Sequence, residues 1–203
     1  MAKVYPNYPA IDSSACSGSP PSLLLAGDGA ETVMTVWRKS LLFNCKGFTV
    51  FDGKGNLLFR VDNYSSASNG EIVLMDASGK SLLTVRRKRL SLGENWLIYH
   101  GDEAAKPRFS VKKHVSILPS KELARMTASR GLSGRPSYSV EGSYSQRRCT
   151  VFDGLRRPIV EVRHKEAASG VALGGDVFRL VVLPGFDASL AMAMVIALEQ
   201  MFQ

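Results

Sequence analysis

The stretch that most limits what this chain can fold into lies near its end. "FDASLAMAMVIALEQMF" is rich in Ala, Leu and Met, and from Leu190 to Leu198 every residue is apolar. Asp187 or Ser189 is placed to cap the N-terminus of a helix over about 187–202. Such a helix has no polar face across two and a half turns, so it must be buried or lie in lipid. About a dozen apolar residues falls short of the ~20 needed to cross a bilayer. Nowhere does the chain hold 18 consecutive apolar residues, and no membrane-spanning segment is expected. Leu190, Met192, Met194, Val195 and Leu198 are therefore expected inside a protein core.

The rest of the chain supplies that core. "FTVFDGKGNLLFRV" at 48–61 returns as "CTVFDGLRRPIVEV" at 149–162, and a looser copy, "IVLMDASGKSLLTV", occupies 72–85. Each is a hairpin pattern: apolar residues, then Asp52, Asp76 or Asp153, then turn residues, then alternation ending in Val. The Asp carboxylate accepts bonds from nearby backbone N–H groups, and Gly reaches positive φ without steric cost. After the turns, Phe59 and Val61, Leu83 and Val85, and Val160 and Val162 are expected to face the core, with Arg60, Thr84 and Glu161 facing solvent. "TVMTVW", "EIVLM", "NWLIYH", "RFSVK", "YSVEGSY" and "VFRLVVL" alternate similarly, giving eleven or twelve strands. A helix is ~10–12 Å across with its side chains, so only a wide barrel could hold it, and a dozen strands is wide enough. The expected fold is a mainly β, closed antiparallel barrel of about 12 strands around a central hydrophobic C-terminal helix. Residues 31–203 form that single domain. Residues 1–30, rich in Pro, Ser and Gly and without the apolar centre of a signal peptide, read as a flexible tail.

Charge points to a partner. The chain carries a net +8, and positions 80–165 hold 19 Lys and Arg against 7 Asp and Glu. An acidic partner fits such an excess. The candidate headgroup-binding residues come from the basic runs "VRRKRL", "VKKH", "QRRC" and "LRRP": Arg86, Lys88, Arg89, Lys112, Lys113, Arg147 and Arg156. Arg86 and Lys88 should point outward together, since Val85 points inward. The alternative is a solvated strand surface that deters edge pairing. Arg87 to Ser91, "RKRLS", also has the form of a basic-directed phosphorylation site. Nucleic acid is disfavoured, because the aromatics of this region sit in strand-core patterns and no nucleic-acid module is present.

Catalytic patterns are missing. His100, His114 and His164 form no metal-binding helix pair, and neither a phosphate loop nor a nucleophile elbow occurs. No cofactor and no metal are expected. Cys149 beside Arg147 and Arg148 admits two readings, a reactive thiol or a small core residue. Three cysteines, Cys16, Cys45 and Cys149, suit a reducing, intracellular setting.

"TVWRKSLLFNCKGFTVFDGKGNLLFRVDNY" (35–64), followed by "VLMDASGKSLLTVRRKRLSLGENWLIYHG", "TVFDGLRRPIVEV" and the apolar helix, resembles the plant LURP-one-related proteins from about residue 33 to the end. The resemblance implies the tubby C-terminal and phospholipid scramblase-like fold, twelve strands around a hydrophobic helix. It also implies a non-catalytic role in plant defence-linked signalling, with kinship to membrane-tethered transcription regulators. Taken with the charge, the expectation is an intracellular monomer tethered to anionic phospholipid or phosphoinositide membranes, with signalling proteins as further partners. Two alternatives stand beside it: a protein-interaction domain without lipid binding, and a scramblase-like lipid-acting protein.

Overall fold

The structure is a computed structural model, and it describes residues 29–41, 46–63, 70–102, 106–116, 120–129, 136–166 and 174–202. The expected tail over 1–30 lies outside these residues except for Gly29 and Ala30, as do Cys16 and Cys45. Twelve strands precede one helix: β1 (Thr32–Trp37), β2 (Lys46–Phe51), β3 (Leu57–Asn63), β4 (Glu71–Asp76), β5 (Ser81–Arg87), β6 (Asn95–His100), β7 (Phe109–Lys113), β8 (Glu122–Ala128), β9 (Ser137–Ser143), β10 (Arg148–Phe152), β11 (Pro158–His164), β12 (Val177–Val182) and α1 (Ala188–Phe202). Each strand pairs antiparallel with the next, and β1 pairs with both β2 and β12, so the barrel closes without an edge. The "ELARMTA" of β8 is not among the runs expected above. Its helix-favouring residues mask an alternation that buries Ala124 and Met126 and exposes Arg125 and Thr127.

The helix runs through the barrel. All its residues from Ala188 to Glu199 are buried, and so is Met201. Met34, Val36, Phe59, Leu74, Ile98, Met126 and Leu180 surround it, each with under 2% of its surface exposed. Asp187 is the N-cap: its Oδ1 accepts from the Ser189 backbone N–H at 2.8 Å and the Ser189 hydroxyl at 2.7 Å. No described helix is long and apolar enough to cross a membrane.

Since the strands alternate in direction, the connections sort into two rims. The β2–β3, β4–β5 and β10–β11 turns share the rim at the helix N-terminus, and these are the three copies of the repeated phrase. They are built alike. Asp52 Oδ1 accepts N–H bonds from Lys54 and Asn56, both at 2.8 Å, and Asp153 Oδ1 accepts from Leu155 and Arg157, both at 2.9 Å. Asp76 Oδ1 does the same for Ser78 and Lys80 at 2.9 and 3.0 Å. Each strand pair then slips by one residue at the same place, at Val50/Phe51, Leu74/Met75 and Val151/Phe152. The fourth residue of each turn has positive φ: Gly55 at 89°, Gly79 at 90° and, without a glycine, Arg156 at 63°.

Facing follows the expected alternation for Phe59, Val61, Leu83, Val85, Val160 and Val162, all buried. Thr84 corrects it. It lies on the outer side, yet is fully buried, because its hydroxyl donates to the Gly101 carbonyl at 2.6 Å where the β6–β7 connection folds over it.

Candidate functional site

The other rim surrounds the helix C-terminus, and most of the basic runs converge there. Its centre is Glu199, 2% exposed on the last turn of α1. Arg38, just after β1, donates from Nη1 to Glu199 at 2.9 Å and from Nε to Asp176 at 2.8 Å. Arg147, in the β9–β10 turn, donates to Glu199 at 3.2 Å and to the Gly175 carbonyl at 2.9 Å. The Tyr144 hydroxyl adds a bond at 2.8 Å. Burial alone would push the Glu199 carboxyl up. The bonds from Arg38 and Tyr144 and the charge of Arg147 outweigh that and hold it below its ordinary range. Tyr144, buried beside the same carboxylate, is pushed well above the ordinary phenol.

Lys113 completes this closure. Its Nζ donates to the Met201 carbonyl at 2.6 Å and to Glu94 at 2.9 Å, and stands 4.7 Å from the centre of the Phe202 ring. A cation on the last carbonyls of a helix satisfies an orphan acceptor and opposes the macrodipole.

The seven candidate headgroup residues therefore divide. Arg147 is buried and stacked between the Tyr144 and Phe178 rings, at 4.5 and 4.4 Å, and presents no charge to a surface ligand. Its expected surface role is corrected by that burial. Lys113 holds the helix end. Arg86 points outward as expected, but pairs with Glu71 and stacks on Tyr99 at 4.9 Å. Arg156 lies on the opposite rim, bound to Glu141 and over the Phe152 ring at 4.6 Å. Lys88 and Lys112 are exposed and lie together, and Arg89 is exposed in the turn beyond Lys88. Lys88 N–H donates to the Asn95 carbonyl at 2.8 Å and Asn95 faces Lys112 across β6 and β7, so one lateral row holds both lysines. Arg87, exposed at the end of β5, joins them.

At the tip of the β5–β6 connection, between Arg89 and Glu94, two leucines stand in solvent. Leu90 and Leu92 are as exposed as in an unfolded chain, at 105% and 112% of reference, and Leu90 holds a φ of 56°. Val115, after β7 on the same rim, is 83% exposed. Packing does not explain this turn tip of bare leucines collared by cations.

The Cys149 thiol is buried and pushed up to about 12 by that burial, against the lowering charge of Arg147, so it is a core residue rather than a nucleophile. Among the described residues no group of three His, Cys, Asp or Glu is placed to hold a metal ion.

A wide antiparallel barrel closed around an apolar C-terminal helix is a tubby-like fold. The chain belongs to the LURP-one-related family, whose family model matches residues 32–199. It is 44% identical over 207 aligned residues to Protein LURP-one-related 8 of Arabidopsis thaliana, covering 100% of this chain and 99% of the relative. It is 41% identical to Protein LURP-one-related 17 of the same plant, over 86% and 85% of the two chains. An X-ray structure of an Arabidopsis thaliana protein superimposes with a TM-score of 0.63 at 20% identity, covering 86% of this chain and 93% of that one, and shows the same fold.

Proposed function

We propose that this LURP-one-related protein is a non-catalytic module that associates reversibly with anionic phospholipid membranes, phosphoinositides included, through the rim at its helix C-terminus. The observation that carries this reading is the β5–β6 tip, where Leu90 and Leu92 are fully exposed beside Arg87, Lys88, Arg89 and, one strand pair away, Lys112. Apolar tip residues enter the headgroup boundary and the cations around them meet anionic lipid. Each Lys or Arg near such a surface contributes about 1 kcal/mol and is weakened by salt, so binding is expected to be modest and reversible. The defence-linked signalling implied by the family resemblance is the setting we assign to it, with signalling proteins recruited to the same membrane.

Sedimentation with vesicles of phosphatidylcholine containing phosphatidylserine or a phosphoinositide tests the reading. Binding should exceed that to neutral vesicles at low salt, fall as salt rises, and drop in Lys88→Gln/Lys112→Gln. Equal binding to neutral and anionic vesicles rejects it. The second reading, a protein-interaction domain without lipid binding, is favoured by the ion pairs that occupy Arg86, Lys113, Arg147 and Arg156, and the same experiment separates the two.

A further inference from the structure

A second basic feature lies on the barrel wall, apart from the leucine tip. In β10, β11 and β12 the residues Cys149, Val162 and Phe178 turn inward and are buried, so Arg148, Arg163 and Arg179 beside them turn outward, and all three are exposed. Register then aligns them. Arg163 stands directly opposite Arg179, and Cys149 opposite Val162, so one step further along the ladder brings Arg148 opposite Arg163. Arg179 in turn faces Thr35 of β1, whose hydroxyl accepts from Lys165 Nζ at 2.8 Å.

Like charges placed directly opposite across a ladder are destabilising, so three arginines abreast need a reason beyond the fold. Acids do little to cancel them. Glu161 pairs with Arg163, and among the described residues Arg148 and Arg179 form no ion pair. Between β10 and β11 the wall dips into a depression of about 410 Å³ whose polar lining includes Arg148, Thr150, Glu161 and Arg163, with Arg179 on the next strand outside it. Neighbouring strands are about 4.8 Å apart, so the outer two arginines are about 10 Å apart at the backbone. An arginine side chain is long enough to span that separation, so the three can reach one small anion. Three arginines less one glutamate leave two positive charges.

We propose that Arg148, Arg163 and Arg179 form a binding site for a phosphate monoester dianion. Arginine suits this use because its planar fork makes paired hydrogen bonds to phosphate oxygens. Thr150 supplies a hydroxyl at the edge, and Lys165 adds a further charge beyond Arg179. The site lies toward the same rim but on the far side of the barrel from the leucine tip, since β5 and β6 lie across the barrel from β11 and β12. Phosphate carried on a lipid headgroup and phosphate on a soluble ligand share this chemistry.

The test follows the arginine Nε–Hε signals by NMR while inorganic phosphate is added at constant ionic strength held with chloride. Saturable shifts are expected at Arg148, Arg163 and Arg179, at least tenfold weaker in Arg179→Gln, with Arg125 and Arg157 unmoved. Phosphate should also raise Tm in the native protein and not in Arg179→Gln, a variant expected to fold at least as stably because it removes a like charge. Vesicles of phosphatidylcholine with phosphatidic acid separate the sources. Vesicle binding weakened by Arg179→Gln in a Leu90→Ser/Leu92→Ser background assigns a lipid-borne phosphate, and vesicle binding unchanged there assigns a soluble one. Leu90→Ser/Leu92→Ser leaves the phosphate titration intact if the two sites are distinct. Shifts at the three arginines no larger than at Arg125, or an unchanged titration in Arg179→Gln, overturn the proposal.

Discussion

The guanidinium of Arg147 lies 3.2 Å from the carboxylate of Glu199, joining a turn between two strands to the far end of the helix those strands enclose. Both side chains are nearly sealed, 7% and 3% exposed. Removing one partner of a buried pair leaves the other charge uncompensated, at a cost of about 3–5 kcal/mol. Glu199→Gln should therefore lower stability by roughly 3 kcal/mol, read as a shift in the urea midpoint. Arg38→Gln should cost less, about 1 kcal/mol, since that side chain is 44% exposed and its ion pairs are screened. Equal losses at the two arginine partners would contradict the assignment of Arg147 as the buried anchor.

Acid should undo the same closure. Glu199 has a folded pKa below its ordinary value, so its contribution is fully present above about pH 4.3, the ordinary Glu value, and is lost as pH falls through the lower folded pKa. The carboxyls of Asp52, Asp76 and Asp153 are also lowered, chiefly by the hydrogen bonds of their turns, and they titrate identically in a Glu199→Gln variant. Urea midpoints measured from pH 7 down to pH 3 should fall more steeply for the native protein, and the gap between the two should narrow. A constant gap would show that Glu199 is not the titrating group.

Ser91 stands between the two exposed leucines. A phosphate there would add about −2 charge beside Arg87, Lys88 and Arg89 and would resist entry into the headgroup layer. Ser91→Glu, a weaker mimic, should reduce sedimentation with anionic vesicles severalfold while leaving Tm within about 1 °C, because surface changes of this kind are nearly neutral for stability. Undiminished binding would separate the tip from the membrane.

The third hairpin carries a cost the other two avoid. Arg156 holds a φ of 63° where Gly55 and Gly79 stand in the other copies, and a side chain in that region costs about 1–2 kcal/mol. Its ion pair with Glu141 is exposed, and solvent screening leaves it little weight. Arg156→Gly should thus raise Tm or leave it unchanged. Gly55→Ala should lower stability by about 1 kcal/mol through backbone conformation alone, since no atom lies within 4 Å of the added Cβ. Calorimetry on both variants checks the pair.

These residues also show where the sequence could and could not be read. The Asp-led hairpins and the apolar helix are local patterns, and they imply a barrel wide enough to enclose that helix. Arg147 and Arg148 are adjacent and chemically identical, yet one is buried and the other exposed. What separates them is a turn with Arg147 at a φ of 51° and a carboxylate 52 residues away. Thr84 looked outward and is covered by a loop that alternation does not encode. The arginine row was missed because Arg163 and Arg179 occur singly, as "VEVRH" and "VFRLVV", and only the ladder register sets them abreast. Single arginines at outward positions of successive strands were the available signal.

The membrane reading meets its most direct test in leucine methyl NMR on anionic nanodiscs carrying a paramagnetic lipid headgroup. The account predicts that Leu90 and Leu92 broaden first, while Leu155, 74% exposed on the opposite rim, keeps its signal. Broadening at Leu155 equal to that at Leu90 and Leu92, or at none of the three, would contradict it.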